Sequence, residues 1–311
     1  MIIPVMSSTL GTQNDPVSHQ ELRCLEVWGG SSTVEHTTSV PGLNLSVSSN
    51  PQEGEKGGDI YLISSCSSGW ISRILLADVA GHGSSVSGLA TKLRRAMHKS
   101  INTVDQSKFA QTLNGAFDEI STDGRFATAL LMTYFAPSRH LILVNAGHPP
   151  PLIRRRGSVA WVPLESRSPE AITRPCKEVR VGITNLPLGV ITSTAYEQIA
   201  FKLNPGDQVC AYTDAYIEAL DPDGVQIGVE GFAAILEKTA PATSIESFHH
   251  CVHDSMRNHG IRSADDDQTL ILIENNGGES PKVSIPIVRN WLKQNFGLGH
   301  SDSGPDYDEM S

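Results

Sequence analysis

The sequence predicts an α+β fold, a four-layer αββα sandwich with two central mainly antiparallel β-sheets flanked by helices. Three observations predict it. Short apolar or alternating runs bounded by Gly, Ser, Pro and Asn recur along the chain and read as strands. Helical spacing of apolar residues is confined to two stretches, one from Ser84 to about Glu119 and one from Gly231 to Gly260. The resulting order of strands, helix pair, strands, helices and a last strand lacks the βαβ alternation of a parallel sheet, so antiparallel sheets packed face to face with helices outside fit it best.

Taken in order, LRCLEVW (22–28), LNLSVSS (43–49), DIYLISSC (59–66) and WISRILLADV (70–79) give four successive strands. Val86, Leu89, Ala90, Leu93 and Met97, then Phe109, Leu113 and Phe117, give two helices joined near Asn102. Strand character returns in FATALLMTYF (126–135), HLILVNAG (140–147) and PPLIRRRG (150–157), and again in EQIAFKL (197–203), QVCAYTD (208–214) and TLILIE (269–274). Asn204-Pro205-Gly206-Asp207 is the turn between two of these. GFAAILEKTA (231–240) and SIESFHHCVHDSMRNHG (244–260) carry helical spacing. Residues 1–20 are polar and aperiodic and are expected to be flexible; 21–275 are expected to form one domain. Residues 276–311 read as an extension with a disordered end, in which PKVSIPIVRNWLKQNF (281–296) could add a terminal strand or helix and its Trp291 and Phe296 suggest docking on something apolar.

Composition narrows the function. The chain has 311 residues, 39% hydrophobic and 19% charged, which suits a folded core with polar appendages. A net charge of −10 repels nucleic-acid phosphates and anionic lipid, so neither is expected as a partner. No stretch approaches the roughly 18 apolar residues of a membrane span. Five scattered cysteines, Cys24, Cys66, Cys176, Cys210 and Cys251, show neither a disulfide framework nor zinc spacing, and a reducing cytoplasm is expected.

Four aspartates mark the edges of apolar runs: Asp59 begins one strand, Asp78 and Asp214 end two others, and Asp266 shortly precedes the last. A single strand-end Asp is ordinary turn chemistry. Four brought together from distant stretches would repel one another unless a cation neutralised them or their pKa values rose. Oxygen-only ligation selects a hard cation such as Mg²⁺ or Mn²⁺ and disfavours zinc. Two such ions can share a water and aim it at phosphorus, so no protein nucleophile is needed. The sequence has no GxSxG elbow and no GxxxxGK[ST] loop.

The segments GGDIY (57–61), LADVAGHG (76–83), FATALL (126–131), NAGHPPPLI (145–153), LPLGV (186–190), LNPGDQVCAYTDAYIEA (203–219) and DDDQTLILIE (265–274) occur together and in order. On these the sequence resembles the PPM-type metal-dependent protein serine/threonine phosphatases, in their SpoIIE-like bacterial branch. The resemblance implies that Asp78 bridges two Mg²⁺ or Mn²⁺ ions, with the carbonyl of Val79 as a further ligand. It implies that Asp59 serves the second ion, directly or through water, and that Asp214 and Asp266 complete the shell of the first. The run Asp265, Asp266, Asp267 leaves that last position open by one residue, with the DDxT pattern favouring Asp266. His82 is either a general acid or part of the turn.

The implied reaction is hydrolysis of phosphoserine or phosphothreonine by a water or hydroxide at the two ions. The implied substrate is a phosphorylated regulator such as an anti-sigma-factor antagonist, and a regulatory partner could act on helices 84–119. The alternative is a catalytically weak relative that binds a phosphoprotein and signals by occupancy. It leans on Ala215, which replaces the usual Gly of YTDG and would be strained at positive φ. A third reading is a small-molecule phosphomonoesterase. No arginine clearly matches the phosphate-binding one of eukaryotic relatives. His249, Cys251 and His253 suggest a second metal cluster, but an exposed helix face is the favoured reading. Asn145, Gly147, His148 and Pro149 to Pro151 read equally as function or as a rigid turn.

Overall fold

Alternation along each strand decides which side chains meet which layer, and in the computed structural model it separates three apolar layers. Residues 19–21, 26–29, 33–52, 57–66, 69–81, 84–121, 124–174, 184–239 and 244–278 are described. The segment 281–296, the end of the extension and His82 lie outside them.

One sheet contains β1 (His19–Glu21), β3 (Val34–Val40), β4 (Leu43–Asn50), β9 (Leu152–Arg154), β10 (Trp161–Pro163), β13 (Gln208–Tyr212) and β14 (Gln268–Asn275). Their order is β1-β3-β4-β14-β13-β9-β10. The second contains β2 (Glu26–Gly29), β5 (Asp59–Ser65), β6 (Ile71–Val79), β7 (Ala127–Phe135), β8 (His140–Ala146), β11 (Ile172–Arg174) and β12 (Gln198–Lys202). Here the order is β11-β12-β8-β7-β6-β5-β2. Every described pairing is antiparallel except β1 with β3.

Between the sheets lie Leu45 and Val47 of β4, Ile271 and Ile273 of β14, Ile74 and Leu76 of β6, and Leu130 and Met132 of β7. Their neighbours one residue along point the other way. Leu75, Ala77 and Leu131 pack under α1 (Ser84–Ser100) and α2 (Gln106–Ile120), against Leu93, Phe109 and Phe117. Leu270, Leu272, Cys210 and Tyr212 pack under α3 (Gly228–Lys238) and α4 (Phe248–Asn258), against Phe232, Val252 and Met256. This is the expected αββα sandwich.

Both helix pairs follow from sequence. Asp105 caps α2, its carboxylate accepting from the Lys108 amide at 3.1 Å, and the break near Asn102 ends α1. α4 begins later than its apolar spacing suggests, because Ile245–Ser247 forms a 3₁₀ turn first. Besides β1, whose His19 and Gln20 lie in the stretch expected to be flexible yet pair with β3, three strands carried no readable signal. β3 is VEHTTSV, whose inward residues include Thr38 beside Val40, so no hydropathy contrast marks its faces. β10 and β11 are three residues each, too short for any period.

Candidate metal centre

The same parity places the candidate aspartates. On β6, Ile74 and Leu76 face the other sheet, so Asp78 two residues on faces it too, at the strand's end. On β5, Ile63 and Tyr61 face inward, and Asp59 follows that pattern. Antiparallel register then sets Asp59 directly opposite Asp78. From the facing sheet, Thr269 continues the inward series Ile273, Ile271 on β14, and Thr213 continues Val209, Ala211 on β13. Both hydroxyls donate to Asp59 Oδ2, at 2.6 Å from Thr269 and 3.2 Å from Thr213.

Asp59 is 2% exposed, and its other oxygen, Oδ1, is buried with no hydrogen-bond partner among the described residues. Burial and the facing Asp78 carboxylate hold its pKa well above the carboxylate range, against the pull of the two threonines. Burial, then Asp214, Asp266, Asp267 and Glu218, push Asp78 up to about 7. Burial, then Glu218 and Asp266, push Asp214 up to about 6. The structure therefore brings Asp59, Asp78, Asp214 and Asp266 into one electrostatic neighbourhood. Among the described residues no three of these carboxylates offer ligand atoms all within 4.8 Å of one another.

The aspartate run divides its work. Asp266 is exposed, and its Oδ1 accepts from the Asp267 amide at 2.8 Å. Asp267 is buried and accepts from the main-chain amides of Gln52 and Gly58, which fixes the chain entering β5. It is a strut whose charge also bears on Asp78, whereas Asp266 bears on both Asp78 and Asp214.

Glycines make the close approach possible. A Cβ on Gly57 would collide with the Asp267 carboxylate, and one on Gly58 would lie 2.8 Å from the Val79 carbonyl oxygen and 3.2 Å from Asp78 Oδ1. Gly81, in the turn after β6, has φ 111°, where a side chain is strained. Ala215, by contrast, sits in the 3₁₀ turn Asp214–Tyr216 without a positive φ, so the strain expected there is absent.

Several residues of this neighbourhood were not singled out in the sequence. Thr213 and Thr269 had a signal in retrospect: each occupies the inward parity of a strand whose other inward residues are apolar. Glu218 lies one turn past Asp214, its amide bonded to the Asp214 carbonyl at 2.9 Å. Arg125 brings Nη1 beside Gly81, where a Cβ would meet it at 3.3 Å, and this atom is buried with no hydrogen-bond partner among the described residues. His148, which the sequence did single out as function or turn, packs its Nδ1 2.8 Å from the Thr128 hydroxyl, and Thr128 is the cross-strand neighbour of Asp78. Burial lowers the His148 pKa to about 3, so the ring is neutral. The NAGHPPP segment is a closed turn, since the Asn145 side chain accepts from the His148 amide at 2.7 Å and donates to the His148 carbonyl at 2.8 Å.

The residues fit hard divalent ions: an all-oxygen donor set, an unpartnered buried carboxylate oxygen, and a main-chain carbonyl kept clear by a glycine.

A family model described as Stage II sporulation protein E (SpoIIE) matches residues 71–276. The match begins after Asp59. No curated protein matches the chain significantly. Among solved structures, the RsbU and RsbW domains of Rv1364c from Mycobacterium tuberculosis are 21% identical, with a TM-score of 0.61 over 85% of this chain and 70% of that one. RsbX in complex with magnesium is 14% identical, with a TM-score of 0.55 over 78% and 99%. The SiaA-PP2C domain of Pseudomonas aeruginosa is 18% identical, with a TM-score of 0.58 over 74% and 84%. At these identities the structural likeness carries the fold, while the family model spans well over half of the sequence. The chain therefore belongs to the SpoIIE family of PPM-type phosphatases.

Proposed function

We propose that this chain is a metal-dependent protein serine/threonine phosphatase whose two divalent ions, Mg²⁺ or Mn²⁺, are held by Asp59, Asp78, Asp214, Asp266 and the Val79 carbonyl. The observation that carries this reading is Asp59. A buried carboxylate opposite a second carboxylate, with one oxygen held by two hydroxyls and the other without a hydrogen-bond partner among the described residues, is a costly arrangement that a cation would relieve. When bound, the ions would lower the pKa of water into the physiological range and offset phosphate charge.

The protein's own part is positioning. Thr269 and Thr213 fix the Asp59 carboxylate so that Oδ1 is the oxygen left for an ion. Asp267 anchors the segment that carries Gly58 and Asp59. Arg125, whose guanidinium has a free buried nitrogen beside Gly81, would hold a phosphoryl oxygen of the substrate. Hydrolysis cleaves the bond between phosphorus and the seryl or threonyl oxygen, releasing the hydroxyl side chain and inorganic phosphate.

A phosphorylated regulator of the anti-sigma-factor-antagonist class is the substrate we favour, by analogy with the RsbU–RsbW and SpoIIE proteins that share the fold. A partner pressing on α1 and α2 would have a route to the centre. Val86 of α1 is fully buried and is the side chain that a Cβ on Gly58 or Gly81 would meet at 3.1 and 3.2 Å. With Ala215 unstrained, the observation that leaned toward a catalytically weak binding module is gone. Among the described residues no helix is long and apolar enough to cross a membrane. The test is Mn²⁺-dependent turnover of a phosphopeptide and of p-nitrophenyl phosphate. Loss of turnover in Asp78→Asn is expected; turnover equal to wild type at saturating metal removes the proposal.

A further inference from the structure

A second, chemically different donor set lies on the opposite side of the first sheet. Alternation turns Glu35 of β3 away from the interior, since Val40 of the same strand faces inward and Glu35 has the other parity. It therefore meets α4. There its Oε2 lies 3.1 Å from His249 Nε2 and 3.5 Å from His250 Nε2. The three ligand atoms lie within 4.8 Å of one another, the only such group among the described residues. The two imidazoles are adjacent in sequence, with ring centroids 4.0 Å apart.

Two features set this group apart from a solvated helix face. His249 is 5% exposed, so the helix inserts it against the sheet rather than presenting it to water. Its Nε2 is buried and out of hydrogen-bonding alignment even with the nearby glutamate. Burial disfavours the charged ring, which leaves the neutral imidazole that a metal needs. The spacing also has a geometric meaning. Four tetrahedral ligands at roughly 2.0–2.1 Å from an ion lie about 3.3 Å from each other. The two measured separations bracket that value.

We propose that Glu35, His249 and His250 form a Zn²⁺ site, with water as the fourth ligand, that clamps α4 to β3. Two imidazole nitrogens and one carboxylate oxygen suit a borderline cation such as zinc, as an all-carboxylate set suits Mg²⁺ or Mn²⁺. Glu35 and His250 are exposed enough to admit the ion from solution. Cys251 and His253, which sequence groups with His249, are not part of the triad. His253 instead packs on Tyr216, ring centroids 6.0 Å apart, two residues after Asp214. A fixed α4 thus backs the turn that carries a ligand candidate of the other centre.

The inference is independent of the proposed phosphatase activity and is tested apart from it. Full-length protein carrying Asp78→Asn, stripped of metal and held in millimolar Mg²⁺ to fill any remaining hard-ion site, is titrated with Zn²⁺ against a chromophoric chelator. Co²⁺ is then substituted and its visible spectrum recorded. One Zn²⁺ per chain is expected, together with the intense visible bands of tetrahedral Co²⁺. His250→Ala and Glu35→Gln, both at exposed side chains, should each weaken Zn²⁺ binding at least about tenfold and abolish the Co²⁺ bands. Each variant's zinc-free melting temperature shows that it has folded. Failure to bind stoichiometric Zn²⁺, or an affinity unchanged in both variants, overturns the proposal.

Discussion

At the scale of single residues, the candidate centre is a problem in desolvation. Asp59 accepts two hydroxyl hydrogen bonds on one oxygen and none on the other, facing Asp78 across the strand pair. A hydrogen bond to a charged group contributes about 1.5–3 kcal/mol, and each 1.4 kcal/mol is tenfold in an equilibrium. Thr269→Val should therefore raise the Mn²⁺ concentration for half-maximal phosphatase activity about 10- to 100-fold, with a smaller effect on the rate at saturation. An unchanged metal requirement would show that the threonine does not orient the carboxylate. The protonation of Asp78 gives a second expectation. Its folded pKa of about 7 lies above its ordinary value of 3.8, so the metal-free native state binds this proton more tightly than the unfolded chain does. The resulting stability is complete below the ordinary value and is lost as pH rises through 7. Asp214, raised to about 6, acts in the same direction. Metal-free protein should consequently melt at higher temperature at pH 5.5 than at pH 7.5, and Asp78→Asn should flatten that slope; a steeper loss toward acid would contradict it.

At the scale of elements, strand ends deliver the carboxylates and glycine lets the strands close up. Gly58→Ala places a methyl group 2.8 Å from the Val79 carbonyl and 3.2 Å from Asp78 Oδ1. Overpacking of this kind costs about 1–3 kcal/mol. A shift near 1 Å in a reacting group costs about 100-fold in rate. The variant should stay folded in circular dichroism yet lose about two orders of magnitude in turnover; near-normal turnover would mean that the strand ends are not held to close tolerance. The GGD spacing was legible in the sequence, but its reason was not, because the collision partner lies across the strand pair. Strand identity was legible where apolar residues alternate with polar ones, as in β6 and β14. It was illegible in β3, where Thr38 occupies an inward position, and with β3 went Glu35 as a partner for α4. The four strand-end aspartates could be seen because each borders an apolar run; Thr213 and Thr269 could be placed only once strand parity was tied to a particular sheet.

At the scale of the whole molecule, the centre straddles the two sheets. Asp59 and Asp78 come from β5 and β6 of one, while Asp214 and Asp266 adjoin β13 and β14 of the other. Ions bound between them would reinforce the apolar contact and the Thr269 and Thr213 hydrogen bonds to Asp59 that already join the layers, and binding to the native state alone stabilises it by mass action. At a free metal concentration one hundred times the dissociation constant the gain is about 2.7 kcal/mol. For a folded unit of 150–250 residues each kcal/mol moves the melting temperature about 2–4 °C. Saturating Mn²⁺ should therefore raise the melting temperature by about 5–10 °C. Chelator should reverse the rise, and Asp214→Asn should diminish it without lowering the melting temperature of the metal-free protein, because the variant removes a repelling charge. Calorimetry at fixed pH with and without Mn²⁺ distinguishes this from the alternative in which metal arrives only with the phosphate. In that case turnover would depend on Mn²⁺ while the melting temperature stayed constant, and the carboxylates would not by themselves make a binding site.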